Sequence, residues 1–179
     1  MTLEQFKELV NLLLKAGLKH DAGFVHVMIT VRLNMSMKLK QLEDSLNEAI
    51  NNRPIIDFER SARGDALSLM YEDQIARLNE MHRELTTLGP GFDAISELLK
   101  QLLTKVYSEL REGKPTGVEP VEQGSLATKF AEIGANIDKY IEVTDECIMT
   151  IEALQEEGQK EAPKSESTSY TSAYLDLIR

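Results

Sequence analysis

The side chains available for chemistry in this chain are thirty carboxylates, twenty bases, three histidines and one cysteine. A helical metal site pairs a His with a Glu or a second His three or four residues away on one face. His20, His26 and His82 have no such neighbour: positions 17 and 23 are Gly and position 79 is Asn. Nucleophile and phosphate-cradle motifs are also missing, with no Gly-x-Ser-x-Gly and no Gly-x-x-x-x-Gly-Lys-Ser/Thr. Cys147 follows Asp145 and Glu146, whose charges oppose thiolate formation. It is expected as a buried thiol, and a lone Cys cannot close a disulfide within the chain. No catalytic residue, cofactor or metal ligand is expected.

Carboxylates are the one class with suggestive spacing. Glu109-x-x-Glu112 and Glu142-x-x-Asp145 each put two acids on one helix face, where they can share a hard cation. These pairs are similar to the Glu-x-x-Glu and Glu-x-x-Asp pairs with which all-helical nucleotide pyrophosphatases hold magnesium. The likeness covers two four-residue stretches. It implies, as one alternative, a Mg-dependent nucleotide hydrolase. Against it, Glu109 and Glu112 end a helix just before Gly113, where carboxylates oppose the helix dipole. In so acidic a chain, i,i+3 acid pairs also arise by chance and serve as a solvated face.

The elements that would carry these residues read as helices. Thr2 caps a first helix with Gln5 three residues on, and Leu3, Phe6, Leu9, Val10, Leu13 and Leu14 form its stripe up to Gly17. Segment 24–50 reads two ways. Val25, Val27, Ile29, Val31, Leu33, Met35, Met37 and Leu39 alternate as in a strand. Phe24, Met28, Val31, Met35, Leu39, Leu42, Leu46 and Ile50 form a helical stripe. The helix is favoured because its stripe outlasts the alternation and no other segment offers a strand to pair with. Further helices are expected over 58–88, capped by Asp57 or Ser61 and stopped by Gly89-Pro90-Gly91, over 92–112, and from Ser125 to Gly158. The expected fold is all-α: an elongated bundle of about five helices, three of them long, over 1–158, with a Ser/Thr-rich tail over 159–179.

Two apolar features exceed what a bundle core needs. The tail runs through a polar spacer, Gln159–Ser169, into Tyr170, Tyr174, Leu175, Leu177 and Ile178. As a helix, Tyr170, Tyr174, Leu177 and Ile178 share one face, the pattern of a groove-binding segment. These five residues are the expected partner-binding motif, docking in cis, by a swap between subunits or on another protein. Ser165, Ser167, Thr168, Ser169, Thr171 and Ser172 beside them can accept phosphate. The second surplus is Val27, Ile29, Leu33, Met35 and Met37, expected at a homo-oligomer interface.

The net charge of −10 is graded, with 0 over residues 1–60, −3 over 61–120 and −7 over 121–179. An acidic C-terminal third repels phosphate backbones and anionic lipid, so neither direct nucleic-acid nor membrane binding is expected. No apolar run approaches the ~20 residues of a membrane span, and Met1–Gln5 lacks a signal peptide's basic flank; the expected compartment is cytoplasmic. The leading expectation is a non-enzymatic interaction protein, an adaptor, assembly chaperone or scaffold. The alternatives are an acidic inhibitor that fills a basic groove and the magnesium hydrolase.

Overall fold

The computed structural model describes residues 1–114 and 119–161, and every regular element among them is an α-helix. In order these are α1 (Leu3–Lys15), α2 (Lys19–Asn51), α3 (Ala62–Arg111) and α4 (Pro120–Glu161). The class is all-α, as the periodicity indicates, and segment 24–39 is helical.

Thr2 and Gln5 form a reciprocal capping box at the start of α1. The Gln5 N–H donates to Thr2 Oγ1 at 3.3 Å, and the Thr2 N–H donates to Gln5 Oε1 at 2.8 Å. Gly17, at φ +80°, ends α1 in a left-handed turn. The Gly17 N–H donates to the Leu14 carbonyl and the Leu18 N–H to the Leu13 carbonyl, a Schellman closure. Gly113, at φ +71°, closes α3 by the same pair of bonds, to Leu110 and Glu109.

The chain has four helices among the described residues, not five, because α3 runs unbroken for 50 residues through Gly89-Pro90-Gly91. The apolar spacing accounts for this. Leu78, Met81, Leu85, Leu88, Phe92, Ile95 and Leu99 alternate at three and four residues, and the Leu88–Phe92 step carries that register straight across Pro90. Pro90 is exposed, and the Thr86 carbonyl that it leaves without an amide donor also lies on an exposed residue. Two other boundaries shift: α4 begins at Pro120 rather than at Ser125, and it continues past Gly158 to Glu161.

α1 folds back along the first half of α2. There it joins the C-terminal half of α3 and the N-terminal half of α4 in a four-helix end. Leu9, Leu13, Val25, Leu99, Leu103, Phe130 and Ile137 are fully or almost fully buried in its core. Beyond α1 only α2, α3 and α4 continue, around a second core of Leu42, Leu46, Leu78, Met81, Cys147 and Ile151. Each fully buried Leu contributes roughly 1.5–3 kcal/mol against chain entropy. The connection after α2 straps this three-helix end. The Tyr71 hydroxyl donates to the Pro54 carbonyl at 2.6 Å, and Ile56 and Phe58 press on Gly158, where a Cβ would lie 2.7 Å from Ile56 Cγ2.

Candidate functional site

α2 separates the five residues expected at an oligomer interface. Met35 points into the four-helix core and is 5% exposed, and Ile29 is half-buried against the same core. Both therefore leave the expected interface, because their side chains are needed for intramolecular packing. Val27, Leu33 and Met37 point outward and are 51%, 48% and 71% exposed. At 100° per residue these three fall within about a third of a turn, opposite Met28 and Met35. The apolar surplus is thus real for three residues, and it forms a stripe on the outer face of α2.

The tail motif, Tyr170, Tyr174, Leu175, Leu177 and Ile178, lies outside the described residues. Its reach is nevertheless bounded by where α4 ends. Tyr170 is nine residues beyond Glu161, a span of at most ~32 Å. Lys38 on α2 meets Asp138 on α4 at 2.6 Å. Asp138 is 23 residues before Glu161 on a continuous helix, or ~35 Å at 1.5 Å per residue. Val27 lies a further eleven residues back along α2, so the outer stripe sits roughly 35–50 Å from the root of the tail. Tyr170 alone falls short of its own chain's stripe, but Ile178, seventeen residues beyond Glu161, spans up to ~60 Å and is within range of it.

The grooves between helices are shallow and mixed in character. Leu98, Leu102 and Leu126 floor a groove of about 460 Å³ between α3 and α4, flanked by Lys105 and Lys129. Near the root of the tail, Pro54, Ile148 and Ile151 line one of about 380 Å³ with Arg53 and Glu152 at its edge. A third pocket, of about 230 Å³, opens beside the start of α1 and holds Arg32, Ser96 and Lys100. Residue-level sequence reading missed this third pocket, because its members come from the start of α1, from α2 and from α3 and share no local motif.

The carboxylate pairs do not converge. Glu142 and Asp145 are exposed in the three-helix half of α4, whereas Glu109 and Glu112 close α3 at the opposite end. Lys105 of α3 and Glu122 of α4 line the same groove. Glu142 is therefore about 20 residues, or ~30 Å, along α4 from the level of Glu109. Among the described residues no group of three or more His, Cys, Asp or Glu is placed to hold a metal ion. His20, His26 and His82 are all exposed.

Among the described residues three groups have shifted protonation. Burial pushes the Cys147 thiol up, with Arg77 opposing and Glu146 and Asp73 adding to the shift. Burial also raises Tyr140, whose hydroxyl donates to Glu84 at 3.3 Å. Tyr107 is raised chiefly by the 2.6 Å bond its hydroxyl gives to Glu8, which ties α3 to α1. A thiol held protonated in the core is not a nucleophile. No helix among the described residues is long and apolar enough to cross a membrane. Comparison with protein-family models, with curated proteins and with solved structures returns no match.

Proposed function

We propose that this protein is a non-enzymatic interaction module. It pairs with a second copy through the outer stripe of α2 and engages a protein partner through Tyr170, Tyr174, Leu175, Leu177 and Ile178. The observation that carries this reading is the exposure of Val27, Leu33 and Met37 along one outer face of a helix whose opposite face is fully used. Val27, Leu33 and Met37 are six and four residues apart, so they form a local apolar patch for helix-on-helix packing rather than a heptad seam. An adaptor, assembly chaperone or scaffold role follows, with a cytoplasmic setting consistent with a single thiol kept reduced.

Light scattering of the full chain across micromolar concentrations tests the pairing. A dimer that becomes monomeric in Leu33→Glu/Met37→Glu, with helical content unchanged, supports it. A monodisperse monomer throughout removes it. Tail engagement is tested separately, with Tyr174→Asp/Leu177→Asp in the full chain and recovery of bound proteins as the readout. Identical partners with and without these changes would show that the tail is not the contact.

The acidic-inhibitor reading retains one specific support. Glu142, Asp145, Glu146, Glu152 and Glu156 are all exposed along α4. An interface built on them would weaken steeply with salt, whereas one built on the tail's apolar residues would not.

A further inference from the structure

The step from four helices to three leaves a polar pocket in an otherwise apolar seam. Beside the start of α1, between α2 and α3, is a cavity of about 230 Å³ lined by Met1, Phe6, Ile29, Arg32, Ser96 and Lys100, among others. Ser96 is 8% exposed, yet its hydroxyl has no hydrogen-bond partner, and neither has the covered Nε of Arg32. An unpaired buried hydroxyl and an unpaired guanidinium nitrogen are both costly, and native structures seldom keep them together without a use. Arg32 is also half-buried with no ion pair among the described residues, in a protein of net charge −10 that has many carboxylates to offer.

The donors define the ligand. Arg32 supplies a planar fork that fits oxygen pairs of a phosphate. The Ser96 Oγ is covered as it stands, and a turn about its single χ1 torsion brings it to the cavity, where it can donate. Lys100 supplies a second cation. Its present contact, Glu97 Oε2 at 3.6 Å, is an exposed i,i+3 pair that holds it weakly. Two cations and a hydroxyl exceed what a carboxylate needs and match a phosphomonoester, which carries a charge of about −1.5 to −2 at neutral pH. The cavity holds on the order of seven waters at ~30 Å³ each, room for a phosphoryl group and a small organic remainder against Ile29, Leu99 and Phe6.

We infer that Arg32, Ser96 and Lys100 form a binding site for a phosphoryl group, carried by a small phosphomonoester or present as the free ion. The site is independent of the pairing stripe, which lies on the opposite side of α2 from the core. Calorimetric titration of the full chain with inorganic phosphate, with glycerol phosphate and with glycerol alone provides the test. Both phosphates bind saturably and glycerol does not; a tighter ester identifies a phosphomonoester as the ligand, and equal affinities identify the free ion. Arg32→Gln weakens binding about tenfold or more, as loss of a charge-assisted bond requires. Ser96→Ala weakens binding while raising the melting temperature, a pairing of signs that a merely structural serine would not produce. Lys100→Gln, an exposed change that leaves the core intact, weakens binding severalfold even if Arg32→Gln fails to fold. Failure of both phosphates to saturate, or affinity unchanged in Ser96→Ala and Lys100→Gln, overturns the assignment.

Discussion

Thr144 is the most direct test of the packing described for the three-helix end. It lies on the inward stripe of α4, between Ile137 and Cys147, is 1% exposed, and its hydroxyl has no partner. Thr144→Val replaces that hydroxyl with a methyl of nearly the same shape. An unpaired buried hydroxyl costs about 1–3 kcal/mol on mutational scales, and the new methyl adds roughly 0.8 kcal/mol of apolar burial. Thr and Val have similar helix propensities, so the backbone contribution nearly cancels. We expect a gain of about 1–2 kcal/mol after imperfect packing of the methyl. A chain of this size then melts higher by about 2–4 °C per kcal/mol. Urea denaturation followed by helical circular dichroism, at fixed protein concentration, should give a higher midpoint with an unchanged slope. Thr144→Ser keeps the hydroxyl, loses the methyl and should be destabilised by about 1 kcal/mol. A Thr144→Val protein that is less stable than the parent refutes the reasoning, because it would mean that the hydroxyl has a partner worth keeping.

Three further outcomes follow from local geometry. Pro90→Ala restores an amide donor on an exposed turn of α3 and should stabilise by about 2 kcal/mol, the interior cost of Pro less its restriction of the unfolded chain; a destabilised variant would mean that the helix needs its Pro. Gly64→Ala drives a Cβ into the Glu59 carbonyl oxygen and disturbs the bond from the Gly64 N–H to Ser61 Oγ, so thermal melts should show a loss of about 2 kcal/mol or more. The Cys147 thiol is held up by burial, so the folded chain keeps its proton where the unfolded chain has lost it. Stability is therefore full below the unfolded thiol's value of about 8.5 and declines as pH rises through it toward the folded value. Alkylation at neutral pH should be slow until denaturant is added.

The helical class was legible because apolar residues recur at three and four for long stretches, and only a helix makes that a face. The ambiguity of 24–39 came from excess: Val27, Leu33 and Met37 complete a period-two pattern, yet they stand on the outside of a helix. The break expected at Gly89-Pro90-Gly91 failed for a related reason. Local propensity argued for a turn, but Leu88 and Phe92 kept heptad register on both sides, and burial of both outweighs a cost of roughly 3 kcal/mol for Pro. Gly158 misled in the same way; it reads as a helix end, and it is a seat for Ile56. The pocket around Arg32 was not legible. Nothing in the spacing of Arg32, Ser96 and Lys100 indicates that the start of α1 lies beside them.

Polar residues on the inward faces show how the two ends of the bundle differ. In a seam of three-four repeats a polar side chain lowers stability, and its best-attested use is to select one register or one assembly. Gln74 meets that description: it is 8% exposed, and its Oε1 accepts from Arg77, which also approaches Glu146 of α4. That chain links α3 to α4 at one level and penalises a shift of either helix along the other. Ser96 and Thr144 have no such partner, so register selection does not account for them. Thr144 sits within the three-helix core, where a methyl serves better and its hydroxyl is a cost without evident return. Ser96 instead lines the same pocket as Arg32, whose Nε is also unpaired, at the place where the helix count changes among the described residues. A phosphate between them converts two costs into bonds, and the same two side chains without it leave the four-helix end less stable than its packing would allow. Added phosphate should therefore raise the melting temperature of the parent chain and of Thr144→Val alike, and that of Arg32→Gln by less at the same phosphate concentration.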